Sequence, residues 1–386
     1  MIRHPLFIIV TLLGIELLVL GLARHQRTKH WFKLLPSVFW IYFLPMLAAT
    51  FGLLDTGSPV YGLITTWLLP ASLVLLLPVD IRAILRLGPV ALLMFCIGAA
   101  GIICGTALSF NLFKPLVGAE FWAGFGALSA SWTGGSANMI AVKEALSVPD
   151  RVFAPMVIVD TVVPYFWMGA LIAAVALQPA FDRWNRSDRS IIDQLSCRIA
   201  APDQAVQQKR TLAGTMLLLL VAAAGSGFAH ILGRQLPVIK DVVSGYTWTI
   251  IIVSLLGILL SCSPARKLEQ HSSSATGYYL LYFVLTAIGA KASVASIGSA
   301  LILILAGLLI VAVHLVFLLV GARLLKAPLF LVAAASQANI GGVASAPLVA
   351  EVYQPGLASV GLLLAILGNI FGTYLGILSA QLCRLL

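Results

Sequence analysis

The chain has 386 residues, 60% of them hydrophobic and only 10% charged, with a formal net charge of +10. A soluble domain carries roughly a quarter charged residues, so this composition excludes a water-soluble globular protein and points to an all-α polytopic membrane protein. The basic excess lies in short loops between apolar runs, the signature of cytoplasmic loops, and needs no nucleic-acid partner to explain it.

A transmembrane helix takes roughly 20 apolar residues. Reading from the N-terminus, ten runs qualify as spans: 5–22, 34–53, 60–79, 88–108, 153–176, 211–232, 247–262, 276–290, 296–320 and 357–380. The first has its heavier charge after the apolar run, which predicts a retained helix with the N-terminus outside rather than a cleaved signal peptide. Glu16 falls within it, placed to snorkel or to face a protomer contact. A segment at 117–148 is also apolar but is interrupted by SASWTGGSANMIAVKEAL (129–146). The longest hydrophilic stretch, 179–210, reads as a basic cytoplasmic linker. A second interrupted segment, 328–354, contains SQANIGGVASAPLVAEVY (336–353). The five cysteines show no CxxC spacing and read as inert packing.

The linker divides the chain into two matching halves, 1–178 and 211–386. Each has four spans, one interrupted segment and a final span. Gly134–Gly135 precedes Glu144 by nine residues counted from the second glycine, and Gly341–Gly342 precedes Glu351 by the same nine. Asp160 stands five residues before Tyr165, as Asn369 does before Tyr374. Equal order and spacing predict an internal duplication. If each interrupted segment is a re-entrant hairpin, 16 of the 24 basic residues fall on the cytoplasmic side; if both cross fully, about 11 do. The hairpin arrangement satisfies the positive-inside rule better. Five true spans per half is odd, so the second repeat is then inverted relative to the first.

Non-helical backbone survives at membrane depth only where protein or a water-filled cavity covers it. The two glycine-rich stretches therefore predict hairpin tips that meet in a binding site, with free N–H groups favouring an anion. Ser131, Thr133, Gly134, Gly135, Ser136 and Asn138 form one tip. Gln337, Asn339, Gly341, Gly342 and Ser345 form the other. The plain alternative is a small-residue packing motif. Asp160 is a second signal, because a carboxylate within a span costs several kcal/mol unless paired or hydrated. Pro164 leaves the Asp160 carbonyl without its helical donor. With the Thr161 hydroxyl, these groups make a cation or proton site, Na+ being the expected metal; a hydrated surface aspartate is the competing reading. Asn369 and Thr373 are placed to line the cavity from the last span, where Gly368, Gly372 and Gly376 give a smooth face for close packing. Glu144 and Glu351 read as capping or solvated residues, Lys143 as a solvated lysine beside Glu144, and His314 as hydrogen-bonded packing.

The blocks TGGSANMIAVKEAL…VIVDTVVPYFWM and SQANIGGVASAPL…LGNIFGTYLG resemble an uncharacterised integral-membrane family, domain-of-unknown-function family 819, over most of the chain. More distantly, paired-glycine loops in inverted halves are similar to the citrate (2-hydroxycarboxylate) and sodium–glutamate symporters. That resemblance implies a homodimer, a moving domain carrying both hairpins and sodium or proton coupling. Unlike those symporters, the last span has no arginine to clamp a carboxylate. Bile-acid-type symporters and cation/proton antiporters offer a different geometry, with discontinuous helices that cross.

The expected function is a secondary active transporter of elevator type in the inner (plasma) membrane. It moves a small polar solute, an anionic organic one by the tip chemistry, coupled to Na+ or H+, with no resident cofactor and no catalytic residues. A monovalent cation/proton antiporter is the first alternative. An intramembrane enzyme or a non-transporting assembly subunit is the second.

Overall fold

A computed structural model describes residues 2–28, 32, 37–76, 84–188, 190–199, 211–238, 244–261, 263, 273–291 and 300–386. Among them the regular elements are helical, apart from one isolated bridge between Ile2 and Leu54. The chain is a multi-pass membrane protein, as its apolar helices require. Lys29, Lys33, Arg82, Arg189, Lys209, Arg210, Arg266 and Lys267, which enter the charge argument, lie outside the described residues, as do 200–210 of the linker.

All ten expected spans contain helices. We label them α1 (Pro5–Arg24), α2 (Ser37–Thr50), α3 (Val60–Leu76), α4 (Gly88–Val117), α7 (Asp150–Ala173), α10 (Leu212–Gln235), α11 (Gly245–Ser261), α12 (Ser273–Lys291), α13 (Ala300–Leu325) and α16 (Ala358–Leu385). Among the described residues six helical stretches are long and apolar enough to cross a membrane: α1, α4, α10, α13, α16 and Asp150–Asn185, in which α7 runs on into the next short helix. The helices α2, α3 and α11 are 14, 17 and 17 residues long over the described residues, with Pro45 inside α2 and Pro70 inside α3. The interrupted segments supply α5 (Trp122–Gly134), α6 (Ser136–Ala145), α14 (Leu329–Ile340) and α15 (Gly342–Tyr353).

Two elements differ from the sequence reading. The helix α4 continues nine residues past the expected end at 108. Its polar Ser109 stays helical because the hydroxyl donates to Ala306 O at 2.8 Å. Within the hydrophilic 179–210 stretch, the structure has two short helices, α8 (Gln178–Asn185) and α9 (Ser190–Ile199). The buried polar side chains of α8 are committed to protein partners. Asp182 Oδ1 accepts from the Leu329 N–H at 2.9 Å, and Asn185 Nδ2 donates to Ala322 O at 3.1 Å and Ala327 O at 2.9 Å.

The chain forms two compact units, each assembled from both halves of the sequence. The first comprises 1–78, 143–161 and 207–301, and the second 79–142, 162–206 and 302–386. In the first, the small residues Gly225, Gly277 and Gly289 let α10 and α12 approach closely: their positions lie against Val74, Leu75 with Leu76, and the Tyr42 carbonyl. Ala71, Leu75, Leu218 and Ala222 make an apolar cluster there. Three side chains donate to carbonyls of α3: Tyr246 OH to Thr65 O, Ser226 Oγ to Trp67 O and Ser273 Oγ to Leu75 O.

In the second unit α5 and α14 are the interior. Residues 123–134 of α5 are all buried, and so is every residue of α14. A helix covered all round has no polar face to give to water, so its polar side chains need protein partners. The seam between α5 and α16 runs over small residues. Gly126 meets Ala380, Gly376 meets Ala130, and Gly372 meets Gly134. Ser129 and Ser379 share a hydrogen bond of 2.8 Å across it.

Candidate functional site

The first break follows from one backbone conformation. Gly135 has φ +84°, which an L side chain adopts only with strain, and its N–H turns back onto Ser131 O at 2.5 Å. The chain then restarts as α6 at Ser136. Asn138, in the first turn of α6, closes the break from beneath. Its Nδ2 donates to Gly134 O at 2.5 Å and to Asn369 O at 3.3 Å, while its Oδ1 accepts from Thr373 Oγ1 at 2.5 Å. The Thr133 hydroxyl bonds back to Ser129 O at 2.8 Å. The Asn369 amide oxygen lies beside Gly135, 3.2 Å from where a Cβ there would sit. Ser131, Thr133, Asn138 and Thr373 are buried, Ser136 and Asn369 half-buried.

The second break lies at Gly341–Gly342, with φ +61° at Gly342 and the Gly341 N–H on Gln337 O at 2.8 Å. Gln337 reaches across it: Nε2 donates to Ser345 Oγ on α15 at 2.7 Å. A Cβ on Gly341 would collide with both partners, so glycine is required for this bond to close over the backbone. Asn339 Nδ2 donates to Ala335 O at 2.9 Å and to Phe95 O at 3.2 Å. Gln337 and Asn339 are fully buried, and each amide oxygen is left without a hydrogen-bond partner. An unmet buried acceptor costs about 1–3 kcal/mol, so two of them on one short helix mark a place suited to a donor or a cation.

Both sets of expected tip residues belong to the second unit. Phe95 on α4 ties them together: its carbonyl takes the Asn339 amide, and its ring packs against Gly368, which also faces Thr133 O. Sequence reading missed Phe95, because nothing in an apolar run distinguishes one phenylalanine. It also missed Trp167, whose Nε1 donates to Ser336 Oγ at 2.8 Å. His314 is fully buried with both ring nitrogens bonded, one to Gly98 O at 2.8 Å and one to Ser336 Oγ at 2.9 Å, the hydrogen-bonded setting expected of it. Asp160 and Thr161 are the last two residues of the first unit's middle segment. Asp160 is half-buried there, and the Thr161 hydroxyl bonds to Val157 O at 2.8 Å.

The tips carry no charged side chain. What they offer are amides, hydroxyls and four helix ends. The C-terminal ends of α5 and α14 present carbonyls and favour a cation; the N-terminal ends of α6 and α15 present N–H groups and favour an anion. No group of three or more His, Cys, Asp or Glu suited to a metal ion occurs among the described residues. The nearest charges in sequence differ from expectation. Lys143 is buried rather than solvated, with Nζ 2.8 Å from Glu144 Oε1 and 3.1 Å from Asp150 Oδ1, over the Phe153 ring. Lys291 reaches the other Asp150 oxygen at 3.8 Å. Burial alone pulls the Lys143 ammonium down, but the two carboxylates outweigh it and hold the group above its ordinary pKa. Glu351 accepts from the Gly356 N–H at 3.0 Å, the capping role expected of it.

A family model described as "Protein of unknown function (DUF819)" matches residues 8–386. The chain is also similar to the "Uncharacterized membrane protein YjcL" of Bacillus subtilis (strain 168), at 25% identity over 354 residues, 86% of each chain.

Proposed function

Since the chain belongs to the DUF819 family of membrane proteins, we propose that it is a secondary active transporter for a small polar, anionic organic solute, coupled to Na+ or H+. The observation that carries the reading is the pair of glycine breaks within one compact unit, each with buried, uncharged hydrogen-bonding side chains at its tip. Helix ends that face a polar tip inside a membrane protein are the usual means of binding a solute and its coupling ion near the bilayer midplane. The breaks are read as re-entrant hairpins of inverted repeats, inserted from opposite sides. The unit that holds them is the one that moves, in an elevator cycle, and the protein works as a homodimer in the inner membrane. The N-terminus is outside and the 179–210 segment cytoplasmic.

The experiment is uptake by the purified protein in liposomes, using a panel of radiolabelled di- and hydroxycarboxylates and amino acids, under a sodium gradient and a proton gradient applied separately. Accumulation driven by one gradient supports the reading. Cation-for-proton exchange with no solute uptake would favour an antiporter, and neither activity would end the carrier reading.

A further inference from the structure

His314 stands out because its bonds have a fixed direction. The Gly98 carbonyl only accepts, so ring Nδ1 carries the hydrogen of that 2.8 Å bond. In the neutral ring Nε2 then accepts, and the donor is the Ser336 hydroxyl at 2.9 Å. Ser336 Oγ in turn accepts from Trp167 Nε1 at 2.8 Å. With the ring neutral, the series runs in one direction, Trp167 to Ser336 to His314 to Gly98, and protonation reverses its His314–Ser336 bond. It joins α7, α14, α13 and α4, and its middle member sits five residues before the second glycine break.

We propose that His314 is the proton-binding site of the coupled cycle, the coupling ion being H+. This rests on the transporter reading and deepens it. When the second break opens to water, Nε2 takes a proton from a hydronium ion and the ring becomes an imidazolium. Nε2 now donates. The Ser336 hydroxyl can no longer point at it and turns to the carbonyl one turn back on its own helix. A charged ring in a fully buried setting with no bonded carboxylate is costly, so the protonated ring and the present seat of α14 exclude each other. That exclusion links proton binding to the position of the break.

The elements joined to His314 carry few other titratable groups. These are Cys96, Cys104 and Lys114 on α4, and Tyr165 on the part of α7 within this unit, with none on α14. Arg323 lies on α13 itself, and Asp150, Arg151 and Asp160 on the part of α7 assigned to the other unit.

The test uses the full chain in liposomes with Val343→Cys as a reporter just past the break. Its labelling by a membrane-impermeant maleimide is timed at pH 8 and pH 5.5, corrected against a free-thiol standard. With His314 present, corrected labelling rises at least about threefold at the acid pH, because histidine is the side chain that changes charge in this range. In His314→Asn, which keeps a donor for Gly98 but does not titrate, the rate is flat; His314→Gln replaces it if the Asn variant does not fold. The same rise in the substituted protein, or no rise with His314 present, overturns the assignment. No solute is needed, so this result and the uptake result fail independently.

Discussion

Gly134 and Gly342 answer different demands. A Cβ at Gly134 would sit 2.5 Å from the Asn138 amide and from Gly372 Cα, and 2.7 Å from Gly368 O, and backbone atoms have nowhere to go. Gly342 has open space around it, and only its φ of +61° resists a side chain. Gly134→Ala is therefore expected to destabilise by overpacking, about 2–3 kcal/mol, and Gly342→Ala by left-handed strain alone, about 1 kcal/mol. Thermal unfolding of the two variants in detergent should keep that order. Lys143 makes a third case. Lys143→Met leaves the partly buried Glu144 without its cation and Asp150 with only Lys291 at 3.8 Å, and a loss of about 3 kcal/mol is expected. The sign of its pH dependence is fixed: the folded pKa is raised, so the stabilisation is whole below the ordinary value of 10.5 and lost only as pH climbs above it. Melting curves between about pH 7 and 9 should show no pH dependence from this lysine, its stabilisation being constant there.

At the scale of elements, the seam between α5 and α16 is the feature sequence reading approached most closely. The recurrence of Gly368, Gly372 and Gly376 predicted a close-packing face, and the structure gives it to Thr133, Gly134 and Ala130 of α5. Gly376→Val should push the helices apart, since any Cβ at this position would collide with Ala130, and lower stability by about 2–3 kcal/mol. The Ser129–Ser379 bond offers a site-specific check: cysteines at both positions should crosslink in the parent and far less in the Gly376→Val background. The breaks were legible because paired glycines inside apolar sequence have few other meanings. So was Asn138, a polar residue beside them. The partners were not. Gln337 with Ser345 spans eight residues of sequence and Asn138 with Thr373 spans 235, and no periodicity announces either. The short helix α8 was hidden for a related reason, as the carbonyls and N–H that hold Asp182 and Asn185 arrive from residues 322–329.

At the scale of the molecule, the two units cut across the two halves. Each compact unit takes helices from before and after the linker, whereas the spacing argument concerned 1–178 and 211–386 as repeats. A duplication leaves its trace along the chain, while packing is decided by which apolar faces fit, and the first need not divide as the second does. Fragments 1–178 and 211–386 expressed alone are thus expected to lack protease-resistant cores, and co-expression should restore a complex that survives gel filtration. Failure of the pair to associate, with each fragment stable by itself, would mean the halves fold separately.

The seam also has a bearing on biogenesis. Ser129 and Ser379 lie 250 residues apart, and the ribosome adds roughly 5–20 residues per second. The glycine face of α5 therefore waits some 10–50 s in the membrane before α16 exists to cover it. During that interval the nascent protein exposes its most adhesive surface to lipid, insertase and chaperone. A premature stop before Gly368 would make that exposure permanent, turning an ordinary folding intermediate into a target for membrane quality-control proteolysis.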